Sequence, residues 1–62
     1  MKILRLAQVV ELTGLPKSTL YRYVKSRQFP SQLKLGERAA GWVEEEVMGW
    51  MRSRIDLRDA NT

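Results

Sequence analysis

Neither cysteine nor histidine occurs in this 62-residue chain. Disulfide staples, zinc fingers, thiol nucleophiles, redox pairs and histidine bases are therefore excluded. Glycine is scarce, at four residues, and forms neither GxGxxG nor GxxxxGK[ST], the loops that cradle phosphates in nucleotide-binding enzymes. No apolar run approaches the roughly 18 residues of a membrane span. In Met1-Lys2-Ile3-Leu4-Arg5-Leu6, Arg5 interrupts the run before a signal-peptide core can form. These absences lead to the expectation of a soluble, cytoplasmic, non-enzymatic protein without metal or cofactor, and without a membrane or small-molecule substrate as partner. At this length a single domain, 1–62, is expected, its stability coming from packing or from a partner.

What is present is an uneven charge. The formal net charge is +4. Residues 1–16 carry +1, residues 17–38 carry +5 and residues 39–62 carry −2. A basic block that dense suits a polyanion, although a solvated face that keeps a protein soluble has the same composition.

Periodicity organises the block. Leu6, Val9, Val10 and Thr13 repeat at i, i+3, i+4, i+7 and predict a first helix over about 7–13. Gly14 stands where a left-handed helix end belongs, and Pro16 suits the start of a second helix. From Lys17 to Arg27 a narrow stripe of Leu20, Tyr23 and Val24 predicts that helix. Its opposite face carries Ser18, Tyr21, Arg22 and Lys25, with Lys17 in the first turn. Phe29-Pro30 ends it. Leu33 and Leu35 then alternate with Gln32 and Lys34 up to Gly36, and Ala39 to Val43 returns as a second strand, giving a hairpin with Lys34 and Arg38 near its tip. Glu44-Glu45-Glu46 opens a third helix, three carboxylates complementing the positive end of its dipole. Val43, Val47, Trp50, Met51 and Ile55 continue it, and Asp56 to Thr62, poor in apolar residues, is expected to fray.

Two short helices joined by a Gly-x-Pro turn, the second bearing a basic ridge and followed by a basic hairpin, have the geometry of a helix-turn-helix with a wing. The expected fold is α+β, three helices and a two-stranded wing. Arg22 is the candidate for base readout, because a guanidinium donates two parallel hydrogen bonds to guanine. Lys17 and Lys25 suit phosphates. Ser18 and Thr19 either cap their own helix or donate to a phosphate, and Tyr21 either meets the sugar-phosphate backbone or packs on the hairpin. Lys34 and Arg38 reach flanking backbone or minor groove, or serve as edge-strand charges that deter aggregation. Trp42 and Trp50 read as core rather than as stacking platforms. The three glutamates have no base, nucleophile or metal-binding histidine beside them and form no catalytic site.

The set Val9-Val10-Glu11-Leu12-Thr13-Gly14-Leu15-Pro16-Lys17-Ser18-Thr19-Leu20-Tyr21-Arg22, then Phe29-Pro30, then Lys34-Leu35-Gly36-Glu37-Arg38-Ala39-Ala40-Gly41-Trp42, then Glu46-Val47 with Trp50, resembles the AlpA-like family of small phage and prophage regulators, related to MerR-type and excisionase winged helices. The resemblance implies a winged-helix DNA-binding domain, with the helix from Thr19 to Lys25 reading DNA and the wing bearing Arg38 touching its backbone. It also implies a bacterial protein associated with the nucleoid. Relatives often place glycine at the end of the reading helix. Here Arg27-Gln28 stands instead, which implies a non-glycine residue in a left-handed cap at about 1 kcal/mol.

The leading expectation is a sequence-specific double-stranded DNA-binding transcriptional regulator. The family divides between such regulators and excisionase-like factors that bend DNA for recombination, and both use the same surface. A reading from another class is a small interaction module or inhibitor that offers Met48, Trp50 and Met51 of the third helix to a protein, and exposure of those three decides it. One module this small buries little surface, so homo-oligomerisation, cooperative binding at repeated sites, or a recombinase or other protein partner stays open.

Overall fold

Gly14 sets the first corner of the fold. A computed structural model describes residues 1–61, and in it Gly14 takes φ +73 after α1 (Leu6–Thr13). Its N–H donates to Val10 O at 2.9 Å, closing the helix with a single left-handed residue. Thr13 secures the same corner, its hydroxyl donating to Val9 O at 2.7 Å and accepting from the Leu15 N–H at 3.2 Å. At the other end of α1 the Gln8 carboxamide oxygen accepts from the Arg5 N–H at 2.8 Å, half of a capping box. Pro16, extended at φ −68, leads into α2 (Lys17–Lys25).

The second helix ends two residues before the Arg27 that its sequence pattern reaches. Ser26 caps it, and Arg27 turns left-handed at φ +63. The Arg27 N–H donates to Val24 O at 3.1 Å and the Gln28 N–H to Tyr23 O at 2.8 Å. This pair of bonds is a Schellman motif with arginine where glycine is usual.

Strand β2 (Leu33–Gly36) and strand β3 (Ala39–Val43) form the wing, antiparallel with Leu33 opposite Gly41 and a bulge between Lys34 and Gly36. A further strand, β1 (Ile3–Leu4), adds to the other edge of β3, with Ile3 opposite Val43 and Leu4 opposite Trp42. The sheet order is therefore β1-β3-β2, one strand more than the two expected. Two residues carry no periodicity, and only the distant β3 makes them a strand. Gly41 permits the pairing: a Cβ there would stand 2.8 Å from Leu4 O and 2.5 Å from Ile3 Cγ2.

Helix α3 (Glu44–Ala60) runs through most of the tail expected to fray. Once nucleated, a helix propagates at little cost per residue. Arg52 pairs with Asp56 at 3.4 Å, Arg58 with Asp59 at 3.0 Å, and the Asn61 N–H donates to Arg58 O at 3.1 Å. Apolar burial is thus not what holds this segment helical. Thr62, the last residue of the expected tail, lies outside the described residues.

The core takes one side chain from nearly every segment: Leu4 of β1, Val9 of α1, Leu20 of α2, Phe29 of the connecting loop, Trp42 of β3 and Val47 of α3. Burial of each is worth about 1.5–3 kcal/mol. Strand β2 contributes none and is exposed along its length, so the wing projects from the core. Together these elements make a winged helix-turn-helix. No described helix is long and apolar enough to cross a membrane.

Candidate nucleic-acid interface

The stripe that buries Leu20 dictates what α2 shows to solvent. Lys17, Ser18, Tyr21, Arg22 and Lys25 are all exposed, while Thr19 is half-buried. Pro16 provides no side-chain cap, and neither the Ser18 nor the Thr19 hydroxyl has a hydrogen-bond partner among the described residues, so these hydroxyls are not spent on capping. Tyr21 is 40% exposed and makes no ring contact among the described residues, whereas Tyr23, two residues on, packs on the core. The ridge expected from spacing is therefore assembled on one face of one helix.

The electrostatics of that face are set by the absence of acids. Among the described residues, ion pairs join Lys2 to Glu44, Arg52 to Asp56 and Arg58 to Asp59. None involves Lys17, Arg22, Lys25, Lys34 or Arg38. Between residues 17 and 38 the lone carboxylate is Glu37. Lys34 and Arg38 are exposed on the wing. The Arg22 guanidinium rests 5.7 Å from the centre of the Tyr23 ring, a contact worth about 0.5–1 kcal/mol at an exposed site.

The sequence reading missed how α2 and the wing are held together. Phe29 is buried in the loop between them and meets Trp42 and Trp50 edge-on, at 6.3 and 4.8 Å between ring centres. The Trp50 indole N–H donates to Gln28 O at 2.6 Å, and the Trp42 indole N–H donates to Pro30 O at 2.7 Å. One tryptophan from α3 and one from β3 thus grip the carbonyls on either side of Phe29. Reading both as core is right, but spacing holds no signal that their N–H groups fix the path from helix to wing.

The three α3 side chains of the interaction-module reading do not make one surface. Met48 is 46% exposed, but Trp50 and Met51 pack against the core. Met48 and Trp50 stand about 200° apart around the helix, so they face different sides. One further cation is placed by the fold: the Arg54 guanidinium lies over Trp50, 5.8 Å from its ring centre. Among the described residues no three or more acidic side chains are grouped so as to hold a metal ion.

Comparison with known proteins follows the same lines. The model of the family described as prophage CP4-57 regulatory protein (AlpA) matches residues 2–55. The DNA-binding transcriptional activator AlpA of Escherichia coli (strain K12) is 32% identical over 62 residues, covering 90% of this chain and 89% of that protein. The uncharacterized protein ORF88 of Enterobacteria phage P4 is 39% identical over 54 residues, covering 87% of this chain. The chain spans 61% of the length of that phage protein. No solved structure matches the chain.

Proposed function

The chain belongs to the prophage CP4-57 regulatory protein (AlpA) family, and from that premise we propose that it is a sequence-specific double-stranded DNA-binding transcriptional regulator of the phage type. It acts as a single domain in the bacterial cytoplasm, on nucleoid DNA and without a cofactor. The observation that carries this reading is the set of exposed cations on α2 and the wing that have no carboxylate partner among the described residues. Cations left unpaired on one helix and the adjoining hairpin are ready to replace the counterions of a phosphate backbone.

In this reading α2 enters the major groove and Arg22 addresses a guanine. Leaving Tyr23 costs the arginine about 0.5–1 kcal/mol, less than the roughly 1–3 kcal/mol of discrimination from a bidentate pair. Lys17 and Lys25 meet phosphates, joined by Ser18, the exposed edge of Thr19 and the Tyr21 hydroxyl. Lys34 and Arg38 hold the flanking backbone. The tryptophan grip on residues 28–30 keeps α2 and the wing at one spacing, so both engage the same duplex without reordering. A single module buries limited surface, and cooperative binding at repeated sites supplies the remaining affinity.

The test is selection from a pool of random duplexes at several salt concentrations. An enriched motif is expected, with log affinity falling against log salt with a slope of about −3 to −4 for four phosphate contacts. Binding without a motif replaces sequence recognition with an architectural, DNA-bending role of the excisionase kind, in which a recombinase becomes the natural protein partner. No binding at 50 mM salt refutes the proposal.

A further inference from the structure

A shallow recess of about 280 Å³ opens beside the C-terminal end of α2, lined by Tyr23, Gln28, Trp50, Ser53 and Arg54. One charge lines it, the guanidinium of Arg54. That guanidinium lies over the face of an indole, 5.8 Å from its ring centre, and the indole is itself tied to Gln28 O at 2.6 Å and set against Phe29. Arginines on the same helix are placed differently: Arg52 and Arg58 each bond a carboxylate, whereas Arg54 has none within ion-pair distance among the described residues. Across the recess, Tyr23 carries the Arg22 guanidinium near its ring. The lining itself holds no carboxylate.

We propose that Arg54 and this recess form a phosphate-binding site that takes a backbone phosphate of the same duplex α2 reads, so that α3 joins α2 and the wing in holding DNA. Arg54 supplies the charge, and the Tyr23 hydroxyl and Gln28 amide supply neutral donors around it. The Trp50 N–H is committed to Gln28 O and the Ser53 hydroxyl to Trp50 O, so neither donates to the phosphate. A stacked guanidinium is already oriented and loses less freedom on binding than a mobile lysine. The sequence places Arg54 only near a helix C-terminus, where a cation needs no ligand. The fold turns it toward α2.

The proposal rests on the DNA-binding reading, and its test separates the two. Affinity for the selected duplex and for a random duplex is measured by fluorescence anisotropy from 50 to 300 mM salt for the wild type and for Arg54→Ala, Arg54→Lys, Arg52→Ala, Arg58→Ala and Lys25→Ala. Arg54→Ala is expected to weaken both duplexes by the same factor, up to about fivefold, and to reduce the salt slope by about one unit. Arg54→Lys keeps the slope and recovers part of the affinity, while Arg52→Ala and Arg58→Ala behave as wild type. Arg54→Ala also gives up the contact with the Trp50 ring, so its melt is expected to fall by a few degrees. Affinities are compared at a temperature where every variant is fully folded, which separates a lost contact from a lost fold. If Arg54→Ala keeps wild-type affinity and slope while Lys25→Ala loses both, the Arg54 site is refuted and the DNA-binding reading stands. If the wild type binds neither duplex at 50 mM salt, both are refuted.

Discussion

Arg27 tests whether backbone geometry, rather than side-chain contact, limits the stability of the joint between α2 and the wing. At φ +63 it occupies the left-handed region, where a Cβ crowds the neighbouring carbonyl at a cost of about 1–2 kcal/mol. Glycine escapes that cost but loses more conformational freedom on folding, by roughly 0.5–1 kcal/mol. Arg27→Gly should therefore stabilise the protein by about 0.5–1 kcal/mol. Alanine carries the same Cβ and removes the same charge, so the difference between Arg27→Gly and Arg27→Ala isolates the backbone from electrostatics. The bonds that define the turn, from Arg27 N–H to Val24 O and from Gln28 N–H to Tyr23 O, survive in both variants. For a domain of this size 1 kcal/mol moves Tm by about 4–8 °C, so the glycine variant should melt several degrees above the alanine variant by circular dichroism at 222 nm. Equal melting temperatures, or a lower one for glycine, would refute the reasoning. Both variants remove the same exposed charge, so any effect of that charge on DNA affinity should be equal in the two.

Gly41→Ala should be destabilising by about 1–3 kcal/mol, because the added Cβ meets the Leu4 carbonyl and neither strand can retreat without breaking the pairing; a urea titration with an unchanged midpoint would contradict this. Trp50→Phe keeps the ring against Phe29 but leaves Gln28 O without its indole donor, and should cost about 0.5–1.5 kcal/mol in chemical denaturation. The same change should weaken DNA binding beyond any loss of folded fraction, since the helix and the wing are no longer held at one spacing, and a DNA affinity that tracks only the folded fraction would show that the grip is purely structural. Arg22→Ala should flatten base preference at one position of the selected motif. Lys25→Ala should lower affinity for all sequences alike and reduce the salt slope by about one unit. Identical profiles for these two on cognate and random duplexes would undo the division of labour assigned to them.

The grip on residues 28–30 also bears on the two roles open to this family. A regulator that reads an operator needs its helix and wing at one spacing, so that a mismatched base is not accommodated by movement of the protein. Under the proposed function, a joint held by these two bonds would shift the burden of adjustment onto the duplex, and the sequence-dependent cost of deforming DNA would then contribute to selectivity.

Much of this protein is legible in its sequence, because the signals are local. The spacing of Leu6, Val9, Val10 and Thr13, the glycine at 14 and the proline at 16 define the first corner through contacts within a few residues of one another. Lys17, Ser18, Tyr21, Arg22 and Lys25 share a face because a helix of period 3.6 puts them there once Leu20 faces inward. The left-handed Arg27 is foreseeable from a missing glycine. Local patterns, however, are silent on partners distant in the chain. Ile3 and Leu4 become a strand only beside Val43 and Trp42, some forty residues later. The indole N–H groups of Trp42 and Trp50 find the carbonyls of Pro30 and Gln28 across 12 and 22 residues. Arg54 comes to lie beside the end of α2 by the same folding. The sequence by itself determined the first two helices, the turn between them, the start of α3 and the basic face, because backbone periodicity and steric limits act over one or two turns. The third strand, the joint between helix and wing, and the place of Arg54 were decided only by the tertiary structure, because they depend on which distant surfaces the core brings together.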